Sequence, residues 1–114
     1  MKATVAVVIP FYNGHEYSDK LIGSIDKAAA GISCKVFIID NSPEQMAIPL
    51  SVCNNLVVEI VRTQPAIGYG KACNQGFDLC RKEGIGFIII ANQDGYFSKD
   101  MIAGLLGPFE KDGS

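Results

Sequence analysis

Short apolar runs alternate with helix-like periodicity along the whole chain. The first run, Thr4 to Pro10, is apolar at nearly every position, as expected of a strand covered on both faces. Pro10 and Asn13-Gly14 end it. From Tyr17 to Ala30 the residues Tyr17, Leu21, Ile25 and Ala28 recur at spacings of four, four and three, which predicts one inward face of a helix. Gly31 is its stop. A second run, Cys34 to Ile39, closes on Asp40-Asn41-Ser42-Pro43. Glu44 to Asn55 is poorly periodic and predicts a short helix or an irregular loop. A third run, Val57 to Val61, leads into a loop from Arg62 to Ala66 that contains Pro65.

Ala72, Cys73, Gly76, Phe77 and Cys80 then fit a helical face, which predicts a helix from about Gly70 to Gly84. The fourth run, Phe87 to Ala91, stops abruptly at Asn92-Gln93-Asp94. A last helix is expected from Ser98 as its cap, with Met101, Ile102, Leu105 and Leu106 inward. Strand-like runs separated by helices imply βαβ units. The expected fold is α/β: a three-layer α/β/α arrangement around a mostly parallel, Rossmann-like sheet. The sequence shows no internal repeat, low-complexity segment or linker, so residues 1–114 read as one domain.

Composition narrows the function classes. Apolar residues make up 48% of the chain, a globular proportion. The net charge of −2 and the lack of a basic run argue against a nucleic-acid partner. The apolar runs fall short of the roughly 20 residues of a membrane helix. Pro10 and Tyr12-Asn13 interrupt any signal-peptide core, so a cytoplasmic location is expected. Four cysteines, none in CxxC spacing, accompany the lone His15, which disfavours a zinc site. Cys34, Cys53, Cys73 and Cys80 are read as small buried thiols rather than redox or disulfide partners.

The strand ends carry the chemistry. In open α/β sheets, ligands bind beyond the carboxyl ends of the parallel strands. Those ends here are Pro10-Phe11-Tyr12-Asn13, Asp40-Asn41-Ser42 and Asn92-Gln93-Asp94. An aromatic side chain can stack on a base. A carboxylate such as Asp40 can accept from a base N–H or a ribose hydroxyl. Oxygen ligands such as those of Asn92, Gln93 and Asp94 suit a hard divalent cation and the phosphates it neutralises. Taken singly, Asp40-Asn41-Ser42-Pro43 and Asn92-Gln93-Asp94-Gly95 are also good turn chemistry, and Tyr12 could cover the core. Their joint placement at consecutive strand ends favours a site.

Gly68-Tyr69-Gly70 precedes a helix whose N-terminus favours anions. It is neither GxGxxG nor a P-loop, since Cys73 replaces the third glycine and no GK[ST] follows. Asn74 could hydrogen-bond a ligand or a neighbouring loop. Lys71 reads as a solvated helix residue. No Ser/His/Asp set has plausible spacing.

Four segments in order, VVIPFYN, VFIIDNS, GYGKACNQG and FIIIANQDG, make the sequence resemble the inverting glycosyltransferases of family 2, which have the GT-A fold. The match covers nearly the whole chain, and the order and spacing carry it. The resemblance implies a donor site for a nucleotide-sugar, a UDP- or dTDP-sugar. Pro10 and Tyr12 would border the base, and Asp40 with Asn41 would contact base or ribose. Gly68 and Asn74 would shape the pocket. Asp94, with Asn92, would bind Mg²⁺ or Mn²⁺ through the donor diphosphate. The acceptor would be a glycan or a lipid-linked molecule, as in bacterial polysaccharide biosynthesis, which adds a peripheral place at the inner membrane face to the expected location.

The chain departs from the family pattern in three places. Ala66 stands where the family usually has Asn. Asn92 replaces the first Asp of the DxD motif, which removes one negative charge from the metal site. Family members also run well past 200 residues, and their second half carries the acceptor pocket and the carboxylate that deprotonates the acceptor. Glu110 and Asp112 read as solvated, so no catalytic base is assigned. The expectation is the donor-binding half of a longer transferase, inactive or nearly so alone. The alternative is a non-catalytic module with a vestigial site that self-associates or binds a partner through an uncovered sheet edge. A nucleotidyltransferase is the remaining rival, but PFYNG lacks the Gly- and Arg-rich loop such enzymes carry after the first strand.

Overall fold

The computed structural model describes residues 3–44, 46–63 and 67–111, with side chains as far as 107. Four strands and three helices follow in the order β1 (Val5–Phe11), α1 (Ser18–Ala28), β2 (Cys34–Asp40), β3 (Leu56–Arg62), α2 (Tyr69–Lys82), β4 (Phe87–Ile90) and α3 (Met101–Lys111). The strands form one sheet in the order β3-β2-β1-β4. Every pairing is parallel. The three-layer α/β/α architecture expected for the nucleotide-binding half of a GT-A fold is therefore present.

Side-chain alternation builds the layers. Val5, Val7, Ile9 and Phe11 of β1 point to the face that packs Leu21, Ile22 and Ile25 of α1 and Ile102 of α3. Ala6 and Val8 point to the other face, where Ala72 and Cys80 of α2 cover them. The central strand β1 is buried at every position, whereas the outer strand β4 is half-buried throughout. Close approach of α2 to β1 needs a glycine. A Cβ on Gly76 would lie 2.3 Å from Val8 Cγ1, so only a hydrogen fits there.

The register aligns the polar strand ends. Phe11 pairs with Asp40, and Asp40 pairs with Arg62, in one row across the carboxyl edge. The chain steps outward from β1 to β2 to β3 and then returns to the far side of β1 as β4. The strand order reverses between β1 and β4, and open sheets of this kind place their ligand crevice at such a switch point.

Of the two readings of the 44–55 stretch, short helix or irregular loop, residues 46–55 take the loop, because α1 engages their polar groups. The Asp26 carboxylate accepts from the Asn54 and Asn55 N–H groups at 3.1 and 2.8 Å, and the Ser18 hydroxyl donates to the Pro49 carbonyl. The last helix starts at Met101 rather than directly after Ser98. The Ser98 carbonyl accepts the Met101 N–H in a turn, and the first helical bond runs from Gly104 N–H to the Asp100 carbonyl. Leu105 is 45% exposed, not inward, while Ile102 is buried and Met101 and Leu106 pack on the core. Tyr17, expected on the inward face of α1, is 41% exposed. Pro65, Ala66 and Asp112 lie outside the described residues, as does the side chain of Glu110.

Candidate functional site

A cleft of about 670 Å³ opens at the carboxyl edge, at the β1/β4 switch point. Its volume is in the range of small-molecule sites. Pro10, Phe11, Tyr12 and Tyr17 supply one side, Gly68 and Tyr69 another, and Asn92, Gln93 and Asp94 the rim, with Asn41 behind. Six of the eight expected site residues therefore meet in one cavity: Pro10, Tyr12, Asn41, Gly68, Asn92 and Asp94. Asp40 and Asn74 are not among its lining residues. Asn74 is exposed on α2.

Asp40 is 2% exposed, and its carboxylate is spent on the protein. It accepts from Arg62 Nη1 at 2.5 Å and from the Ser42 N–H at 3.0 Å. Asn41 is likewise engaged. Its Oδ1 accepts from the Ile67 N–H and from Thr63 Oγ1, which ties the chain after β3 to the end of β2. Ser42 reaches the other way, where its hydroxyl accepts the Asn13 N–H at 2.9 Å. That bond holds Asn13 at φ 51°, a left-handed conformation that asparagine tolerates better than most residues.

The third wall is the start of α2. Gly68 precedes it at φ 86°, which a side chain would strain. The first helical bond runs from Ala72 N–H to the Gly68 carbonyl. The N–H groups of Tyr69, Gly70 and Lys71 therefore have no acceptor within the helix, and the helix dipole adds positive potential there. Burial and the neighbouring Cys73 thiol push the Tyr69 phenol up, so it stays a neutral hydroxyl at physiological pH.

The end of β4 differs from that of β2. Asn92 and Asp94 are exposed and line the cleft. Among the described residues neither side chain has a hydrogen-bond or ion-pair partner. Gln93 between them turns back to β1. Its Oε1 accepts the Tyr12 N–H at 2.8 Å, and its Nε2 donates to the Tyr12 carbonyl at 3.0 Å. Sequence reasoning placed Gln93 at the rim but not its bonds to Tyr12, and it missed Tyr17 and Tyr69 as site residues. The placement of Tyr69 between two glycines was the available signal for that residue. Nothing in the pattern pairs Gln93 with Tyr12, which lies 81 residues away.

Among the described residues no group of three or more His, Cys, Asp or Glu could hold a metal. The cleft instead offers the carboxylate of Asp94 and the amide oxygen of Asn92, two residues apart at a strand end. Such a pair is too small for a self-sufficient cation cage but fits a cation that shares its shell with a diphosphate. No helix among the described residues is long and apolar enough to cross a membrane.

Three solved structures share the fold. The crystal structure of S. aureus TarS superposes with a TM-score of 0.72 at 18% identity, covering 100% of this chain and 20% of that one. TarS 1-349 matches at 0.69 and 18% identity, over 97% of this chain and 33% of that one. TarS 1-349 in complex with UDP-GlcNAc matches at 0.69 and 18%, over 97% and 32%. The chain thus spans a third or less of each. Among curated proteins none matches the chain significantly. The pattern of one sequence family, glycosyl transferase family 2, matches residues 6–114. That match takes in β2 to β4, all of β1 but its first residue and every residue of the cleft, and by it the chain belongs to glycosyl transferase family 2.

Proposed function

We propose that the chain is the donor-binding region of a metal-assisted glycosyltransferase, one that passes a sugar from a nucleotide-sugar to a glycan or lipid-linked acceptor. The observation that carries this reading is the single cleft that joins an aromatic wall, a helix N-terminus and an unpartnered amide and carboxylate. The structural likeness to TarS, whose complex holds UDP-GlcNAc, supports a nucleotide-sugar as donor, and a UDP- or dTDP-sugar is the proposed one.

The residues divide the work along the cleft. Pro10 and the half-exposed Tyr12 give a flat apolar wall for the base. Asp40 acts from beneath: with Arg62 and Ser42 it fixes the turn that shapes this wall. Gly68 lets the backbone approach the ligand, and the free N–H groups of α2 face its phosphates. Asp94, with Asn92 as a neutral second ligand, would hold Mg²⁺ or Mn²⁺ against the diphosphate. A cation bound there neutralises charge on the departing nucleoside diphosphate. The acceptor-side base is not assigned, so the chain alone is expected to bind donor without transferring sugar.

Calorimetry with UDP and dTDP, each with and without Mn²⁺, tests the reading. Binding that strengthens with Mn²⁺ is expected, and Asp94→Ala should abolish the strengthening. A wild-type chain that binds neither nucleotide under either condition would refute a formed donor site. An Asp94→Ala variant with unchanged Mn²⁺ dependence would move the ion elsewhere.

A further inference from the structure

We propose that Gln93 is a positioning residue that locks the base wall to the phosphate end of the cleft, and that Gly14 exists to admit its side chain. The proposal rests on the donor-site reading above.

The geometry starts from the sheet ladder. β1 and β4 pair from Val5↔Phe87 to Val8↔Ile90, and the last bond runs from Ala91 N–H to the Val8 carbonyl. In a parallel ladder alternate residues bond to the same neighbour, so Pro10 is next in line to donate toward β4. Proline has no N–H, and the ladder stops. Two residues on, Tyr12 again presents its N–H and carbonyl toward the β4 side. The Gln93 carboxamide meets both, one accepted and one donated, as a peptide group of a neighbouring strand would. A side chain therefore recloses the ladder that Pro10 opens.

Gly14 supplies the space. A Cβ at this position would lie 2.6 Å from Gln93 Oε1 and 2.7 Å from its Cδ. Gly14 is not among the positive-φ glycines, so its need is spatial rather than conformational. Alanine there would evict the Gln93 carboxamide and leave the backbone intact. The same cleft thus has two independent ways to be unlocked, one on each side of the contact.

The functional consequence follows from what the two segments carry. Tyr12 lies on the base wall, and Asn92 and Asp94 flank Gln93 on the rim. A nucleoside touches only the wall. A nucleoside diphosphate must touch wall and rim together, at a fixed spacing. Gln93 sets that spacing, so it contributes to diphosphate binding without contacting the ligand.

The test compares Gln93→Met, which keeps length and loses both hydrogen bonds, with Gly14→Ala. Uridine and UDP, and thymidine and dTDP, are titrated against the 114-residue chain in Mn²⁺. Both variants should weaken UDP or dTDP binding about tenfold, the scale of two lost hydrogen bonds, and nucleoside binding less than twofold. The double variant should be no worse than either single one, because each removes the same contact. Equal weakening of nucleoside and diphosphate would mean a merely structural role and overturn the proposal. Unchanged diphosphate binding in both variants would overturn it as well. If the wild-type chain binds no nucleotide, the donor-site reading itself fails and the positioning role falls with it.

Discussion

Two strand ends on this sheet have nearly the same residue types and opposite fates. Asp40-Asn41-Ser42 ends β2, and Asn92-Gln93-Asp94 ends β4. The first triple is buried, with exposures of 2, 6 and 3%. Its carboxylate, amide oxygen and hydroxyl all bond to neighbouring segments. Among the described residues the second triple leaves its amide and carboxylate open to the cleft and engages the central glutamine alone. The difference comes from position in the sheet. β2 is flanked by β1 and β3, and both present donors at the same level. β4 is an outer strand beside a proline, and Pro10 supplies no donor. Polar groups at a crowded strand end become scaffold, and the same groups at a switch point stay exposed to the cleft.

The largest expected effect breaks the scaffold side. Arg62→Met should destabilise the fold by about 3 kcal/mol, because the nearly inaccessible Asp40 carboxylate would keep only the Ser42 N–H. Asp40→Ala should cost less, about 1–3 kcal/mol, since Arg62 is 31% exposed and can turn to water while the Ser42 N–H is left unpaired. Urea denaturation checks both values. If Arg62→Met proves milder than Asp40→Ala, the carboxylate is better solvated than its burial implies, and the contrast between the two triples weakens.

The layout of strands and helices was legible in the sequence because burial on both faces writes itself as continuous apolar runs. Val5 to Ile9 and Val36 to Ile39 are examples. The division of labour at the strand ends was not legible. Asp40 and Asp94 each follow an apolar run and lie within two residues of an asparagine, and only the register, which brings Arg62 opposite Asp40, separates them. The role of Gln93 is hidden for the same reason: it depends on a ladder that fails at Pro10, in another strand. Helix starts are local, yet Ser98 misled because a turn intervenes before Met101. The 46–55 segment reads equally as helix or loop in the sequence, and Asp26 decides it from α1.

A middle-sized effect concerns the contact that holds α2, and with it Gly68 and Tyr69, against β1. Gly76→Ala would press a methyl group into Val8, whose branched side chain has little freedom to yield. A loss of about 1–3 kcal/mol is expected, typical of overpacking. Gly68 and Tyr69 should shift with the helix, so UDP binding should weaken too. Full retention of both stability and binding would show that α2 can slide without disturbing the cleft.

A separate handle lies at the opposite end of the sheet. Burial pushes the Cys34 thiol up to about 12, from an ordinary value near 9. The folded chain therefore keeps this proton where the unfolded chain loses it. By linkage, stability should be unaffected below about pH 9 and fall progressively between pH 9 and 12. Cys34→Ala should remove part of that alkaline slope, at the cost of a small cavity. Thermal midpoints measured from pH 7 to 11 would show it, and an unchanged slope would place the alkaline lability elsewhere.

The smallest expected effect on stability is the sharpest test of the comparison. Asp94 is exposed, and among the described residues its carboxylate has no partner, so Asp94→Ala removes nothing that the fold uses. Its unfolding free energy should stay within about 0.5 kcal/mol of wild type. A slight gain would also be consistent, because functional groups held open for a ligand often lower stability. The same substitution should remove the Mn²⁺-dependent part of UDP affinity. Scaffold and site then separate cleanly: Arg62→Met costs stability first and binding as a consequence, whereas Asp94→Ala costs binding alone. A clear stability loss in Asp94→Ala would mean that the β4 triple is scaffold as well, and the contrast drawn between the two strand ends would fail.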